Sequence, residues 1–162
     1  MGIVTRAEQR RRSEDYLSPE ETTMKEPDLT LKVREIMDKR VLAVTRQVSG
    51  RDLAVLFLSG SFSGLPVIDH AGRLVGMVSE FDLLKALLDK KDLHAMKAED
   101  LMSPIPLCVE EDMAVGEVIK IMIESRVIRL PVVRNERLVG VIARADVLNH
   151  MIEPSLINVY GG

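Results

Sequence analysis

The fold is decided by the stretch Gly76-Met77-Val78-Ser79-Glu80-Phe81-Asp82. Its first part is typical of a buried strand, and Ser79 stands where a helix running to about Asp89 needs its N-cap. The free N–H groups and positive dipole end of such a helix favour a phosphate. An acidic side chain one turn later, Asp82, can accept hydrogen bonds from ribose hydroxyls. The spacing therefore suits a ribose that carries a phosphate. It is also close to a capping box, in which both side chains serve only the helix.

The chain contains an internal repeat, which gives this stretch a counterpart. Val33–Met37 recurs 65 residues later as Ala98–Met102, and the same offset relates two Leu-Pro-Val segments. The offset falls to 64 residues after a turn, so that Asp82 matches Asp146. A constant offset that slips only at a turn indicates a duplicated folding unit.

Periodicity predicts the same elements in both halves, namely a short leading helix and then strand, helix, strand, strand and helix. In the first half these are 33–37, 41–45, 50–59, 65–69, 74–78 and 80–89. In the second half they are 98–102, 107–109, 115–125, 130–133, 138–143 and a helix from 144 that Pro154 ends.

The predicted fold class is α+β, with two tandem β-α-β-β-α repeats packed face to face about a pseudo-two-fold axis. Packing is needed because about 60 residues cannot hide the apolar surface of one half alone. The expected boundaries are a polar extension at 1–30, repeats at 31–92 and 93–153, and a tail at 154–162. A short helix beginning at Ser18 is expected within the extension.

Composition excludes several classes of function. The chain has 46% hydrophobic and 29% charged residues, as is typical of a soluble globular protein. A net charge of −3, with three Phe, two Tyr and no Trp, argues against nucleic-acid binding. The single cysteine, Cys108, excludes a disulfide framework and a thiolate metal cage. No apolar run approaches the length of a membrane span and no secretory signal is evident, so we expect cytoplasmic residence and no membrane partner.

These features resemble the cystathionine β-synthase domain, or CBS domain, which occurs in tandem pairs called Bateman modules. The resemblance covers about residues 32–152. The motifs that carry it are Ile36-Met37, Leu65–Asp69 and Gly76–Asp82 in the first copy, and Leu101-Met102, Arg129–Val133 and Gly140–Asp146 in the second.

The resemblance implies a non-catalytic regulatory module that senses an adenosine-containing ligand in the cleft between the repeats. AMP, ADP and ATP are the expected ligands, S-adenosylmethionine and cyclic dinucleotides are the alternatives within the family, and no metal is expected. By the same resemblance Asp82 would bind the ribose and Ser79 the phosphate. Adenine would lie near the first strand and the Leu-Pro strand, at Val44, Thr45, Gly64, Leu65 and Pro66.

The second copy departs from this pattern. Asp146 keeps the ribose position, but Ala143 replaces the hydroxyl. Arg144 opposes the helix dipole by about a few tenths of a kcal/mol, and a bound anion would reverse that sign. Arg129 precedes Leu130-Pro131, where family members often bind phosphate, and its fork suits phosphate oxygens.

Simple solvent exposure is the alternative reading of both arginines. We expect the site that ends in Ser79 and Asp82 to be the better nucleotide site.

Two further expectations concern partners and competing functions. The closing helices, through Leu83/Leu87 and Leu148/Met151/Ile152, are expected to form a homodimer, and an unidentified regulated protein is a further expected partner. A dimerising scaffold without a ligand is the structural alternative. An enzyme is disfavoured, because the three histidines (His70, His94 and His150) have no recognisable catalytic or metal-ligand spacing.

Overall fold

The computed structural model describes residues 27–60, 62–104 and 106–151, and Leu29–His150 form one compact unit. The helix expected at Ser18 and the tail at 154–162 lie outside the described residues. The elements of the first half are α1 (Val33–Ile36), β1 (Val44–Thr45), α2 (Gly50–Ser59), β2 (Gly64–Ile68), β3 (Leu74–Ser79) and α3 (Glu80–Leu88). Those of the second half are α4 (Ala98–Leu101), β4 (Val109–Glu110), α5 (Val115–Ser125), β5 (Arg129–Arg134), β6 (Arg137–Ala143) and α6 (Arg144–Met151). The predicted α+β class and element order are confirmed.

Each half builds a three-stranded sheet with the same topology. In the first sheet β1 pairs in parallel with β2, and β2 pairs with β3 as an antiparallel hairpin. The second sheet repeats this with β4, β5 and β6. The hairpin prediction holds in both halves, because each Leu-Pro strand is followed by a short turn and a second apolar strand.

The first strand of each half differs from its predicted bounds. β1 was expected over 41–45, but only Val44 and Thr45 pair with β2. β4 was expected over 107–109, but the paired residues are Val109 and Glu110. An apolar run shows that a segment is buried, but it does not show at which residue the hydrogen bonds to the neighbouring strand begin. The predicted bounds of β1 and β4 were wrong for this reason.

The core follows the alternating apolar residues of the strands and one face of each long helix. Fully buried side chains come from both halves, so each sheet is covered on one face by its helices. The largest are Leu53, Leu65, Leu130, Ile142, Val33, Val67, Val78, Val109, Val115, Val118 and Val132.

The leading helix of each half docks against the other half. In α1 the N–H of Val33 donates to the carbonyl of Met113 at 3.0 Å. In α4 the N–H of Ala98 donates to the carbonyl of Val48 at 2.8 Å. The two repeats therefore exchange their first helices, and neither half is complete without the other.

The segment that follows each leading helix also pairs with the opposite half. The N–H and carbonyl of Asp38 both bond to Val141 in β6, each at 2.9 Å. Ser103 makes the equivalent pair of bonds with Met77 in β3, at 2.8 and 3.1 Å. These two bridges fix the edges along which the halves meet.

The closing helices present an apolar surface, with one correction to the predicted set. Leu83 was expected to remain available for self-association, but it is buried because it packs into the first-half core. Leu87 and Leu148 are exposed as expected, and Ile152 lies outside the described residues. The most exposed apolar side chains are Leu58 at 88%, Leu88 at 83% and Phe81 at 81%, all on α2 and α3. Among the described residues, no helix is both long and apolar enough to cross a membrane.

Candidate functional site

A cleft of about 250 Å³ opens between the two halves, beside the bridge between Asp38 and Val141. The first half contributes the segment before β1 and the β2–β3 hairpin, and the second half contributes β5, β6 and the start of α6. The lining residues are Asp38, Arg40, Val41, Leu42, Phe62, Gly64, Leu65, Pro66, Met77, Arg129, Pro131, Val141, Ala143 and Asp146.

The second-half wall is built by the register of its hairpin. Arg129 lies opposite Ala143, and Pro131 lies opposite Val141. Residues two apart on a strand, and residues paired across a ladder, share one face of the sheet. The four residues therefore form one surface, and Asp146 extends it from the first turn of α6.

The first-half wall is made in the same way and is mostly apolar. Pro66 lies opposite Met77 in the β2–β3 ladder, and Gly64 stands two residues before Pro66. Val41 and Leu42 add apolar surface from the segment before β1. An apolar slot with a few charged groups at its edge is the usual form of a small-ligand site.

Asp146 presents a carboxylate with spare acceptor capacity. Its Oδ2 accepts a hydrogen bond from the N–H of Ala143 at 2.7 Å. Its Oδ1 accepts no hydrogen bond from the described residues. A carboxylate has about four acceptor sites, so this group can cap its helix and still accept bonds from ligand hydroxyls.

Two cations line the cleft. Arg129 is exposed, and no carboxylate among the described residues pairs with it. Arg40 is held by Asp38, whose carboxylate accepts from the Arg40 N–H at 2.8 Å and lies 3.4 Å from Nε. The hydrogen bond from the Arg40 backbone and the guanidinium charge lower the pKa of Asp38 below its usual value. Asp38 is therefore ionised at neutral pH.

The cleft brings together half of the residues that the sequence assigned to a nucleotide site. These are Gly64, Leu65, Pro66, Arg129, Pro131 and Asp146. The other six do not line it: Val44 and Leu130 are buried in the core, Thr45 and Arg144 are exposed, Ser79 stands at the end of β3, and Asp82 lies in the first turn of α3. The site expected around Ser79 and Asp82 stays a prediction.

Ser79 and Asp82 bond to each other. The N–H and the hydroxyl of Ser79 both donate to Asp82 Oδ2, each at 2.7 Å. This is the helix-terminal role that the sequence offered as the alternative to ligand binding. A ligand phosphate at Ser79 would have to compete with Asp82 for the hydroxyl proton.

Sequence reasoning missed the contribution of the segment at 38–42. Val41 and Leu42 were assigned to a strand, and Asp38 and Arg40 were not singled out. The available signal was their place in the repeat, directly after a leading helix. Nothing in the sequence indicated that this segment crosses to the other half.

A second cavity of about 400 Å³ lies at the hairpin ends, and its lining includes Asp69, Arg73, Cys108 and Glu110. Asp69 accepts bonds from the backbone and side chain of Arg73, which lower the pKa of Asp69 to about 2. Burial and the charge of Glu110 raise the pKa of Cys108, so its thiol stays protonated. No group of three metal-ligating side chains occurs among the described residues.

Comparison with known proteins places the chain in a family. The profile of the CBS domain matches twice, at residues 33–89 and 98–153. Inosine-5'-monophosphate dehydrogenase of Methanocaldococcus jannaschii is 34% identical over 124 residues, which cover 76% of this chain but only 24% of the dehydrogenase.

Two solved structures are similar over most of the described residues. A crystal structure of CBSX2 in complex with AMP has a TM-score of 0.63 and 32% identity, covering 72% of this chain and 92% of that one. The CBS domain pair of MJ0100, in complex with 5'-methylthioadenosine and S-adenosyl-L-methionine, has a TM-score of 0.63 and 26% identity, covering 74% and 94%. Both repeats match the family profile, and the structure contains two sheets whose leading helices are exchanged between the halves. This chain therefore belongs to the CBS domain family, as a tandem pair.

Proposed function

We propose that this chain is a non-catalytic regulatory module that binds an adenosine-containing ligand of the AMP, ADP or ATP type in the cleft that contains Asp146. The observation that carries the proposal is the convergence, in one apolar slot, of Asp146 and Arg129, whose Oδ1 and guanidinium have no partner in the part of the chain that the structure describes. AMP is bound in CBSX2, and adenosyl ligands are bound in the MJ0100 pair.

Each part of an adenine nucleotide has a matching surface in this cleft. The adenine ring would pack between the apolar wall of Pro66 and Met77 and the segment at Val41. The ribose hydroxyls would bond to Asp146 Oδ1. The phosphate would pair with Arg129, whose fork forms two parallel bonds with phosphate oxygens.

The proposal is tested by thermal shift and titration calorimetry with AMP, ADP, ATP, S-adenosylmethionine and cyclic di-AMP. A ligand that binds only the folded state stabilises it by RT ln(1 + [L]/Kd), about 2.7 kcal/mol at a concentration of 100 Kd. At least one adenosine ligand should raise Tm in proportion to the logarithm of its concentration. If none of the five does so, the scaffold without a ligand becomes the better account.

Two matched variants decide which helix start binds the ribose. Asp146→Asn and Asp82→Asn each remove one charge from the first turn of an equivalent helix, so their effects on helix stability should be similar. We expect Asp146→Asn to lose most of the ligand-induced shift and Asp82→Asn to keep it. The opposite result would favour the site around Ser79 and Asp82 and contradict ribose binding by Asp146.

The exposed face of α2 and α3 supports a second proposal, that the module forms a homodimer through its closing helices. Leu58, Phe81 and Leu88 are more than 80% exposed, and Phe81 and Leu88 stand seven residues apart on α3, so they share one face of that helix. Phe81→Ser should shift the chain towards monomer in light scattering, while Lys120→Ser, an exposed position on α5, should not. A parent chain that is monomeric at every concentration would contradict this proposal.

The regulated protein is a further part of the proposal. A non-catalytic sensor acts by changing its contacts with another protein or domain when its ligand binds. Such a partner should bind the parent chain with an affinity that depends on the ligand, and it should bind Asp146→Asn without that dependence.

A further inference from the structure

Asp38 and Arg40 form an ion pair within one short turn at the cleft. Both residues line the cavity, and the Arg40 side chain is 94% exposed while that of Asp38 is 48% exposed. An exposed pair of this kind is weak, so a ligand can displace it. Arg40 can therefore exchange the Asp38 carboxylate for an anionic group of a ligand at the solvent side of the cleft.

The two side chains differ in their freedom to move. The backbone of Asp38 is fixed on both sides by its bonds to Val141, so its carboxylate stays beside the cleft. Within the described ranges, the Arg40 side chain is held only by Asp38, and this long side chain can turn from that carboxylate to a bound anion. The Arg40 guanidinium therefore stays beside Asp38 until a bound anion attracts it.

The fold does not require a charge at Asp38. Ser103 occupies the equivalent position, 65 residues later, and makes the same backbone bridge with Met77. Because a neutral serine serves there, the bridge depends on the backbone and not on the carboxylate. The bridge therefore leaves the charge of Asp38 available for a role in the cleft.

We propose that Asp38 sets the charge preference of this cleft by holding Arg40 away from the ligand. The inference rests on the proposed function, since it concerns the adenosine ligand of the same cleft. With Asp38 charged, Arg129 is the cleft cation that no described carboxylate pairs with, which suits a ligand with one phosphate. With Asp38 neutral, Arg40 joins Arg129, and the preference for anionic over neutral adenosine ligands increases.

The test compares AMP with adenosine by titration calorimetry, because the two differ only in the phosphate. Asn can accept the same backbone hydrogen bond as Asp, so Asp38→Asn removes the charge while it keeps the turn. We expect the ratio of AMP affinity to adenosine affinity to rise about two- to five-fold, as one unit charge a few Å away would produce in a high dielectric. The matched control is Glu124→Gln, an exposed acid on α5 outside the cleft, which should leave the ratio at the parent value.

A double-mutant cycle with Arg40→Gln separates the mechanism from simple repulsion. If Asp38 acts by holding Arg40, the gain from Asp38→Asn should largely vanish in the Arg40→Gln background. A gain that persists there in full would overturn the inference, and so would an unchanged ratio in Asp38→Asn alone. In both of those cases the parent still binds its ligands, and the proposed function stands. A parent that binds neither ligand refutes the proposed function and the inference together.

Discussion

Replacing Gly140 by alanine should strain the contact by which the leading segment of the first half crosses to the second. Gly140 lies on β6, and a Cβ built on it would stand 2.5 Å from Met37 Sδ and 3.1 Å from the carbonyl oxygen of Asp38. The thioether can turn aside, but the carbonyl belongs to a backbone that is hydrogen-bonded to Val141. The added methyl group must therefore push the bridge away from β6.

The expected cost follows from two opposing effects. Inserting a methyl group into a closely packed site costs about 1–3 kcal/mol. Replacing glycine reduces the entropy of the unfolded chain and returns about 0.4–1 kcal/mol. We therefore expect Gly140→Ala to lower the free energy of unfolding by about 1–2 kcal/mol.

Equilibrium unfolding in urea measures this cost, provided that the slope of the transition is unchanged. Gly64→Ala is the matched control, because Gly64 is also a strand residue and its nearest neighbour would be an ordinary 3.5 Å from the new Cβ. The cost of Gly140→Ala should also shrink in a Met37→Ala background, since part of the clash is with the thioether. A neutral or stabilising Gly140→Ala would refute the close approach of the two halves at this point.

Three further predictions concern stability. The pKa of Asp69 is lowered to about 2 by hydrogen bonds from the backbone and side chain of Arg73, so its stabilisation is complete above pH 4 or so and is lost as the pH falls through about 2. The urea midpoint of the parent should therefore approach that of Asp69→Asn over this range, and a constant gap would contradict the assignment. Leu53→Ala should cost about 2–5 kcal/mol, because the side chain is fully buried, whereas Ile123→Ala on α5 should change stability by less than about 0.5 kcal/mol in the same urea assay. Ser49→Ala should cost about 1 kcal/mol by removing the N-cap of α2, as thermal unfolding would show.

The repeat and its periodicity were enough to predict the architecture. Ser49 and Ser79 mark two helix starts, and both helices begin directly after them. Such signals are local, because an N-cap acts on N–H groups within one turn. The length of β1 was wrong because pairing with β2, and not the apolar character of residues 41–43, decides where the strand begins.

The candidate site was less accessible to sequence reasoning. Arg129, Pro131 and Asp146 could be proposed through the family resemblance, because the motifs that carry it are local. Asp38 and Arg40 could not be, since they reach the cleft only through the exchange of leading helices. That exchange depends on contacts such as the one between Asp38 and Val141, which lie far apart in the chain. A single sequence shows which residues repeat, but it does not show which copy they pack against.

The exchange of leading helices also determines how a ligand in the cleft can act. One wall of the cleft comes from the first half and the other from the second, and the bridge of Asp38 to Val141 runs beside both. A ligand that contacts both walls binds only the assembled pair, so its binding free energy adds to the association of the two halves. The same ligand would contact Val41 in the segment that follows α1, and this gives ligand binding a route to the segment that enters the first repeat. A cleft inside a single half would lack that route, because the ligand would then stabilise one repeat without changing its contact with the other.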